Sequence, residues 1–136
     1  MSWELHHVNI PAPDVRASAA FYTTIFGMEE KPFPFVDRDR GAFGLGNDHI
    51  AFFEDGSRQI HISKPVATMA RDNGFYLNPV LNGHHAILVD DIEAVKARLE
   101  ANDVYFADAG RWAFDGYYQI YCYDPGNNVV EINQRT

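Results

Sequence analysis

The feature that most constrains the fold of this chain of 136 residues is an internal repeat. The stretch from His7 to Asp14 reads HVNIPAPD, and the stretch from His84 to Asp91 reads HHAILVDD. Each begins with a histidine and ends seven residues later in an aspartate that can cap a helix. An internal repeat indicates that one supersecondary unit occurs more than once. The chain is therefore expected to contain two halves of similar structure.

The ends of the two halves match as well. Residues 56–63 superpose without a gap on residues 126–133, so that His61 and Glu131 hold equivalent positions. Glu131 stands within an apolar strand pattern, where an unpaired carboxylate is costly to bury. The carboxylate therefore needs a partner, and the repeat offers histidines as candidates.

Each half is predicted to follow the order βαβββ. The first helix is expected to begin after the capping residue Asp14 and to end at Gly27, where positive φ is needed, and the second helix is expected from Asp91. The segment 64–83 has no clear period and is predicted to link the halves. The predicted strands are 3–10, 42–45, 50–53 and 59–63 in the first half, and 84–89, 104–106, 117–123 and 129–133 in the second.

The length and composition indicate a single folded domain. With 46% hydrophobic residues, the chain has material for one core and no compositional sign of disorder. We predict one α+β domain over residues 1–136, with a first repeat at about 3–63 and a second at about 84–133. The two βαβββ repeats are expected to form a curved mixed sheet of about eight strands, with one helix packed outside each half.

The charge and cysteine content narrow the class of partner. A formal charge of -8 and a pI near 5.0 argue against a nucleic-acid surface, which needs clustered Lys and Arg to neutralise phosphates. No apolar run approaches the roughly 20 residues of a membrane span, and the first residues do not resemble a signal peptide. The single cysteine, Cys122, agrees with a reducing compartment. We therefore expect a cytoplasmic protein that binds a small molecule.

Four side chains are predicted to converge where the two halves meet. A pseudo-twofold relation brings equivalent strand positions to one surface, and these positions are His7, His61, His84 and Glu131. Three imidazoles and a carboxylate are ligands suited to Fe, Mn, Co, Ni or Zn, and two histidines with one carboxylate form the facial-triad pattern. A divalent metal ion is therefore the predicted cofactor.

The other three histidines are left outside this site. His6 and His85 are each offset by one residue from a proposed ligand, and in a strand that offset points a side chain to the opposite face. We therefore predict packing or surface roles for both. His49 lies ahead of a predicted strand.

The stretches that carry the repeat resemble the vicinal oxygen chelate superfamily, which includes glyoxalase I, methylmalonyl-CoA epimerase, extradiol dioxygenases and bleomycin-resistance proteins. The similarity covers nearly the whole chain and is carried by residues 7–14, 84–91 and 124–131, with Phe21 and Tyr22 followed by Phe26 and Gly27. In that family the metal ligands lie on the first, fourth, fifth and eighth strands. The resemblance therefore implies the same four ligands, the glyoxalase/bleomycin-resistance/dioxygenase fold and a homodimer.

The number of ligands separates the reactions that the resemblance implies. Four ligands on an octahedral ion leave two adjacent positions for a substrate that chelates through vicinal oxygens, which favours a glyoxalase I-like lyase or isomerase. If His61 is not a ligand, three positions are open. An extradiol ring-cleaving dioxygenase using Fe(II) is then the alternative, with His61 as an acid or base. Sequences that resemble glyoxalase I have a glutamate at the position of His61.

Other family features divide between these alternatives. Family dioxygenases carry a histidine just ahead of the seventh strand, and none stands between Phe106 and Gln119. They also carry a tyrosine ten residues before the glutamate, as Tyr121 stands before Glu131. A third alternative is a non-catalytic protein that binds a small molecule, as the bleomycin-resistance proteins do. The presence of all four candidate metal ligands argues against this alternative. The predicted catalytic residues are Glu131, His61 and Tyr121.

Strand parity predicts the walls of the substrate cavity. In the seventh strand, Gln119, Tyr121 and Tyr123 share one face, and the match of Tyr121 to the family points that face towards the metal. The loop that contains Phe33 and Phe35 is a candidate cover for the ligand. The predicted substrate-binding residues are Gln119, Tyr123, Arg111, Trp112 and Phe114, with Arg111 meeting a substrate carboxylate or phosphate.

Overall fold

A mixed sheet of seven strands and three helices form the described part of the chain, which is residues 1–36 and 48–136 of a computed structural model. The predicted strand 42–45 lies outside the described residues. The predicted α+β class with a mixed sheet is confirmed. The strands are β1 (Trp3–Pro11), β2 (Ile50–Glu54), β3 (Gln59–Ser63), β4 (His84–Val89), β5 (Phe106–Gly110), β6 (Tyr117–Tyr123) and β7 (Val129–Arg135), and the helices are α1 (Val15–Phe26), α2 (Met69–Asn73) and α3 (Ile92–Ala101).

The strand order is β2-β3-β1-β4-β7-β6-β5, and the antiparallel pair β1 and β4 joins the two halves in the middle. In the first half, β1 runs parallel to β3 and sets Asn9 opposite His61. In the second half, β4 runs parallel to β7 and sets Ala86 opposite Glu131. Asn9 and Ala86 each follow the first histidine of the repeat by two residues. The two halves therefore have the same register, which accounts for the equivalence of His61 and Glu131 in the sequence.

Both long helices begin at the residues that the sequence predicts. The Asp14 carboxylate accepts a hydrogen bond from the N–H of Ala17 at 3.0 Å, and the Asp91 carboxylate accepts one from the N–H of Ala94 at 2.9 Å. Gly27, with φ of 66°, ends the first helix in the left-handed conformation. These caps satisfy backbone groups that a helix end leaves unpaired.

The predicted boundaries are wrong at the start of β5. The strand predicted over 104–106 begins only at Phe106, because the preceding residues close the end of α3. The N–H of Val104 donates to the carbonyl of Leu99 at 2.9 Å, and Asp103 adopts φ of 55°. These contacts satisfy carbonyls at the helix C-terminus. The predicted linker also contains the short helix α2, which the sequence pattern did not indicate.

The two faces of the sheet differ in chemistry. The helices cover an apolar face, where Val15 and Ala19 of α1 pack with Phe53 and Ile62, and Ile92 of α3 packs with residues of β6 and β7. The buried polar side chains of the described residues lie on the opposite face: His6, His7, Asn9, His61, Ser63, Gln119, Glu131 and Asn133. Polar groups are costly to bury without partners, so this face is where a functional site is expected. No helix within the described ranges is long and apolar enough to span a membrane.

Candidate metal centre

Three candidate ligand atoms meet on the polar face of the sheet. His7, His84 and Glu131 lie on β1, β4 and β7, which are neighbours in the sheet. Glu131 Oε2 is 2.8 Å from His84 Nε2 and 3.4 Å from His7 Nε2, and the two nitrogens are 3.3 Å apart. Among the described residues, these three form the group of histidine, cysteine and carboxylate side chains that converges closely enough to hold a metal ion. All three belong to one chain.

The separations between these atoms fit a metal ion. Atoms that bind one ion at about 2.1 Å lie about 3.0 Å apart at octahedral angles and about 3.4 Å apart at tetrahedral angles. The measured separations of 2.8, 3.3 and 3.4 Å are close to these values. Two imidazoles and a carboxylate on one side of an ion also match the facial triad of first-row divalent metals. Both the geometry and the donor atoms therefore suit such an ion.

The protonation states of the cluster suit a metal as well. Burial raises the pKa of Glu131, but the close approach of the His7 and His84 rings outweighs burial, so this pKa lies well below its usual value. Burial lowers the pKa of His7 by more than the neighbouring carboxylate raises it. The carboxylate is therefore ionised and the His7 imidazole neutral at pH 7, and these are the forms that bind metal ions.

The backbone orients His84. Its Nδ1 donates a hydrogen bond to the carbonyl of Pro79, which leaves Nε2 as the ring nitrogen that faces Glu131 and is available to a metal ion. Gly83 precedes it with φ of 77°, and a Cβ at that position would lie 2.4 Å from the carbonyl oxygen of Asn9. Only glycine therefore allows the start of β4 to approach β1 this closely.

Gln119 holds the carboxylate of Glu131. Its Nε2 donates to Glu131 Oε1 at 2.9 Å, while its Oε1 accepts from the N–H groups of Ala113 at 3.0 Å and Phe114 at 3.3 Å. Both polar atoms of this predicted substrate-binding residue are thus engaged by protein groups. Tyr121, a predicted catalytic residue, is buried beside it, and burial together with the charge of Glu131 raises its pKa well above 10.0. Tyr121 therefore remains a neutral phenol.

His61 lies beside the cluster, but its Nε2 faces another partner. Its ring stacks on that of His7, with ring centres 3.9 Å apart and an angle of 23° between the planes. Its Nε2 is 2.9 Å from Gln59 Oε1, an oxygen that only accepts, so Nε2 carries the proton. Burial lowers the pKa of His61 well below 6.5, which keeps the imidazole neutral. The structure therefore brings together three of the four predicted ligands and places the fourth alongside them.

A cavity of about 20 Å³, roughly the space of one water molecule, adjoins the cluster. The aromatic residues that line it are Phe33, Trp112, Phe114 and Tyr121. The backbone of Phe35 forms a β-bridge with that of Phe114.

Two of the predicted substrate-binding residues lie away from the cavity. Arg111 is exposed and pairs with Asp115 at 3.5 Å, and Tyr123 is exposed at the end of β6. Neither Arg111 nor Tyr123 lines this cavity.

The residue that sequence reasoning missed is His6. The prediction that it faces away from His7 is wrong, because the pairing register of β1 shifts between Leu5 and His7. Such a β-bulge interrupts the alternation of side chains. His6 is consequently 2% exposed, with its Nδ1 2.9 Å from Nδ1 of His7. His85, the other histidine given a packing or surface role, is half-buried and outside the converging group.

Comparison with protein families gives one match over most of the chain. The model of the Glyoxalase/Bleomycin resistance protein/Dioxygenase superfamily matches residues 4–132. No curated protein is significantly similar in sequence.

Three solved structures share the fold at low sequence identity. A hypothetical protein from Bacillus halodurans superposes with a TM-score of 0.66 at 20% identity, over 100% of this chain and 96% of its own. Methylmalonyl-CoA epimerase from Mycobacterium tuberculosis gives 0.62 at 16% identity, over 97% and 87% of the two chains. A variant of Streptomyces coelicolor methylmalonyl-CoA epimerase in complex with 2-nitronate-propionyl-CoA gives 0.67 at 16% identity, over 97% and 96%. At such identities these structures show the fold alone.

Proposed function

Because the chain belongs to the Glyoxalase/Bleomycin resistance protein/Dioxygenase superfamily, we propose that it is a metal-dependent enzyme that binds a small substrate through two adjacent oxygens. The observation that carries the proposal is the convergence of His7, His84 and Glu131 beside a cavity. These three residues are the proposed ligands. A bound divalent ion, of Fe, Mn, Co, Ni or Zn, supplies a Lewis acid that stabilises negative charge on substrate oxygens.

The proposed reaction is a proton transfer of the lyase or isomerase type, with His61 as the acid or base. Such a reaction needs a neutral base beside the substrate, and Glu131 is already occupied by Gln119 and the two histidines. His61 lines the cavity and is neutral. With Gln59 accepting from Nε2–H, the lone pair of its imidazole is on Nδ1. A positioned base of this kind contributes about 10² to 10⁴ to a rate.

The lining of this small cavity favours a substrate that presents a hydroxyl group. Asn9 lines the cavity and donates from Nδ2 to Ser63 Oγ at 2.8 Å, which leaves its buried Oδ1 without a hydrogen-bond partner among the residues that the structure describes. A substrate O–H would satisfy that oxygen.

A second candidate is a ring-cleaving dioxygenase that uses Fe(II). It is favoured by the same three-residue cluster, since three protein ligands on an octahedral ion leave room for a chelating catechol and one further small molecule. Tyr121 lies beside Glu131, in a position that resembles that of the family tyrosine.

We also propose, from the sequence alone, that the protein is a homodimer and is located in the cytoplasm.

The experiment that tests the function is turnover by metal-loaded protein. Loss of the hemithioacetal of methylglyoxal and a thiol reports lyase chemistry, and oxygen uptake with catechols reports the dioxygenase. We expect the first, abolished by His84→Ala and unchanged by His85→Ala, which alters a histidine outside the cluster. Oxygen uptake without loss of hemithioacetal would select the dioxygenase. Tight binding of both substrates without turnover would overturn the enzyme proposal and favour a small-molecule binding protein.

A further inference from the structure

The bulge in β1 places two consecutive histidines side by side on the polar face. The Nδ1 atoms of His6 and His7 are 2.9 Å apart, and one of them must carry the hydrogen that joins them. On the other side of the His7 ring, Nε2 faces His84 and Glu131. His7 binds an ion through Nε2 only if its hydrogen is on Nδ1. The direction of the hydrogen bond between the two histidines therefore decides whether His7 can be a ligand.

The other contacts of His6 fix that direction. Asn133 is fully buried, and its Nδ2, which only donates, lies 3.4 Å from His6 Nδ1. His6 Nδ1 is therefore an acceptor, and its ring hydrogen is on Nε2, where the hydroxyl of Tyr117 lies 3.1 Å away and can accept it. The hydrogen between the two histidines then belongs to His7 Nδ1. This arrangement leaves the lone pair of His7 on Nε2, facing the cluster.

We propose that His6 is a positioning residue, which holds the His7 ring with its Nε2 lone pair directed at the metal position. His6 itself does not touch the ion. It does for His7 what the Pro79 carbonyl does for His84, since each accepts a hydrogen bond from the ring nitrogen remote from the cluster. The inference rests on the proposed function only in assuming that His7 is a ligand.

The test is Co²⁺ binding to metal-free protein, followed by the visible absorption of the bound ion. His6→Leu removes the acceptor and is expected to weaken Co²⁺ binding by about 10- to 100-fold and to change the spectrum, as loss of such an outer partner does. His6→Asn offers an amide oxygen at the level of Nδ1 and is expected to restore binding to within about threefold of wild type. His85→Leu, which changes a histidine next to the other proposed ligand, is the matched control and is expected to bind as wild type.

The outcomes separate this inference from the proposed function. If wild type binds no Co²⁺, the metal-dependent function fails. If wild type binds Co²⁺ and both His6 variants bind it equally well with unchanged spectra, the positioning role alone is overturned. Equal weakening by His6→Leu and His6→Asn at unchanged thermal stability would also overturn it, because the amide should replace the lost acceptor. If His6→Leu does not fold, His6→Ala takes its place as the variant without the acceptor. His6→Ala should then bind Co²⁺ about 10- to 100-fold more weakly than His6→Asn, and equal binding by the two variants would contradict the role.

Discussion

Replacement of Gln119 by leucine is expected both to destabilise the protein and to weaken metal binding at the proposed site. Gln119 Nε2 donates to Glu131 Oε1 at 2.9 Å, and its Oε1 accepts from the backbone of Ala113 and Phe114. Gln119 is 2% exposed, so water cannot readily replace these bonds. Leucine fills a similar volume but offers neither a donor nor an acceptor. The substitution therefore leaves two N–H groups and one carboxylate oxygen without partners.

The size of the effect follows from these three groups. Each buried polar group without a partner costs about 1–3 kcal/mol. Relaxation of the 113–114 backbone and burial of the apolar leucine side chain offset part of the total cost of the three groups. We expect a net loss of about 2–4 kcal/mol in the free energy of unfolding. For 136 residues the entropy of unfolding is about 0.3 kcal/mol/K, so the melting temperature should fall by about 7–14 °C. Metal affinity should fall about 10- to 100-fold, because Glu131 loses the group that orients it.

The assay is thermal unfolding of metal-free protein, combined with Co²⁺ titration. Gln134→Leu is the matched control, since Gln134 accepts one backbone hydrogen bond, from Ile92, at a half-buried position of β7. The free energy of unfolding of Gln134→Leu should fall by only about 1 kcal/mol, and its metal affinity should equal that of wild type. If Gln119→Leu melts within about 2 °C of wild type, the accounting of its buried hydrogen bonds is refuted. Unchanged Co²⁺ affinity would refute its role in orienting Glu131.

Three further substitutions test separate parts of the structure. Gly83→Ala should lower the free energy of unfolding by more than about 2 kcal/mol, because its Cβ meets the Asn9 carbonyl at positive φ, and denaturant unfolding at wild-type stability would contradict this. His61→Phe should keep Co²⁺ binding within about threefold while turnover falls at least about 100-fold; loss of the metal would instead show that His61 is a ligand. Asp124→Ala should lower the melting temperature at pH 7, because hydrogen bonds from the Asn128 side chain and backbone lower the pKa of Asp124. That stability is present above the ordinary pKa of 3.8 and is lost as the pH falls through the lower folded-state pKa, so a difference that persists in acid would contradict the assignment.

The repeat made the candidate ligands accessible to sequence reasoning. Equivalent positions in two similar halves must lie in equivalent places, and the parallel pairs of strands share one register. His7, His84 and Glu131 could therefore be grouped without knowing the three-dimensional structure. The position of His61 beside them followed from the same argument. Its hydrogen bond with Gln59 depends on a side-chain rotamer, however, and no pattern of residue types reports a rotamer.

The features that the sequence did not reveal are local departures from regular geometry. The role of His6 depends on a β-bulge, and a pair of histidines in a strand looks the same with or without one. The start of β5 was misplaced because Val104 closes the end of α3, although a β-branched residue favours a strand. Gln119 and Glu131 lie on the paired strands β6 and β7. The alternation of side chains along each strand does not show that these two strands are neighbours. Each of these features depends on local backbone geometry or strand pairing that is seen only in the folded chain.

The most direct test of the account is the metal content of protein purified without a histidine tag, measured by elemental analysis for wild type and Glu131→Ala. We predict one divalent ion per chain in wild type and a small fraction of that in Glu131→Ala, with full occupancy in the control His85→Ala. Wild-type protein that neither contains nor takes up a stoichiometric divalent ion would contradict the central claim. Equal occupancy in Glu131→Ala would contradict it as well.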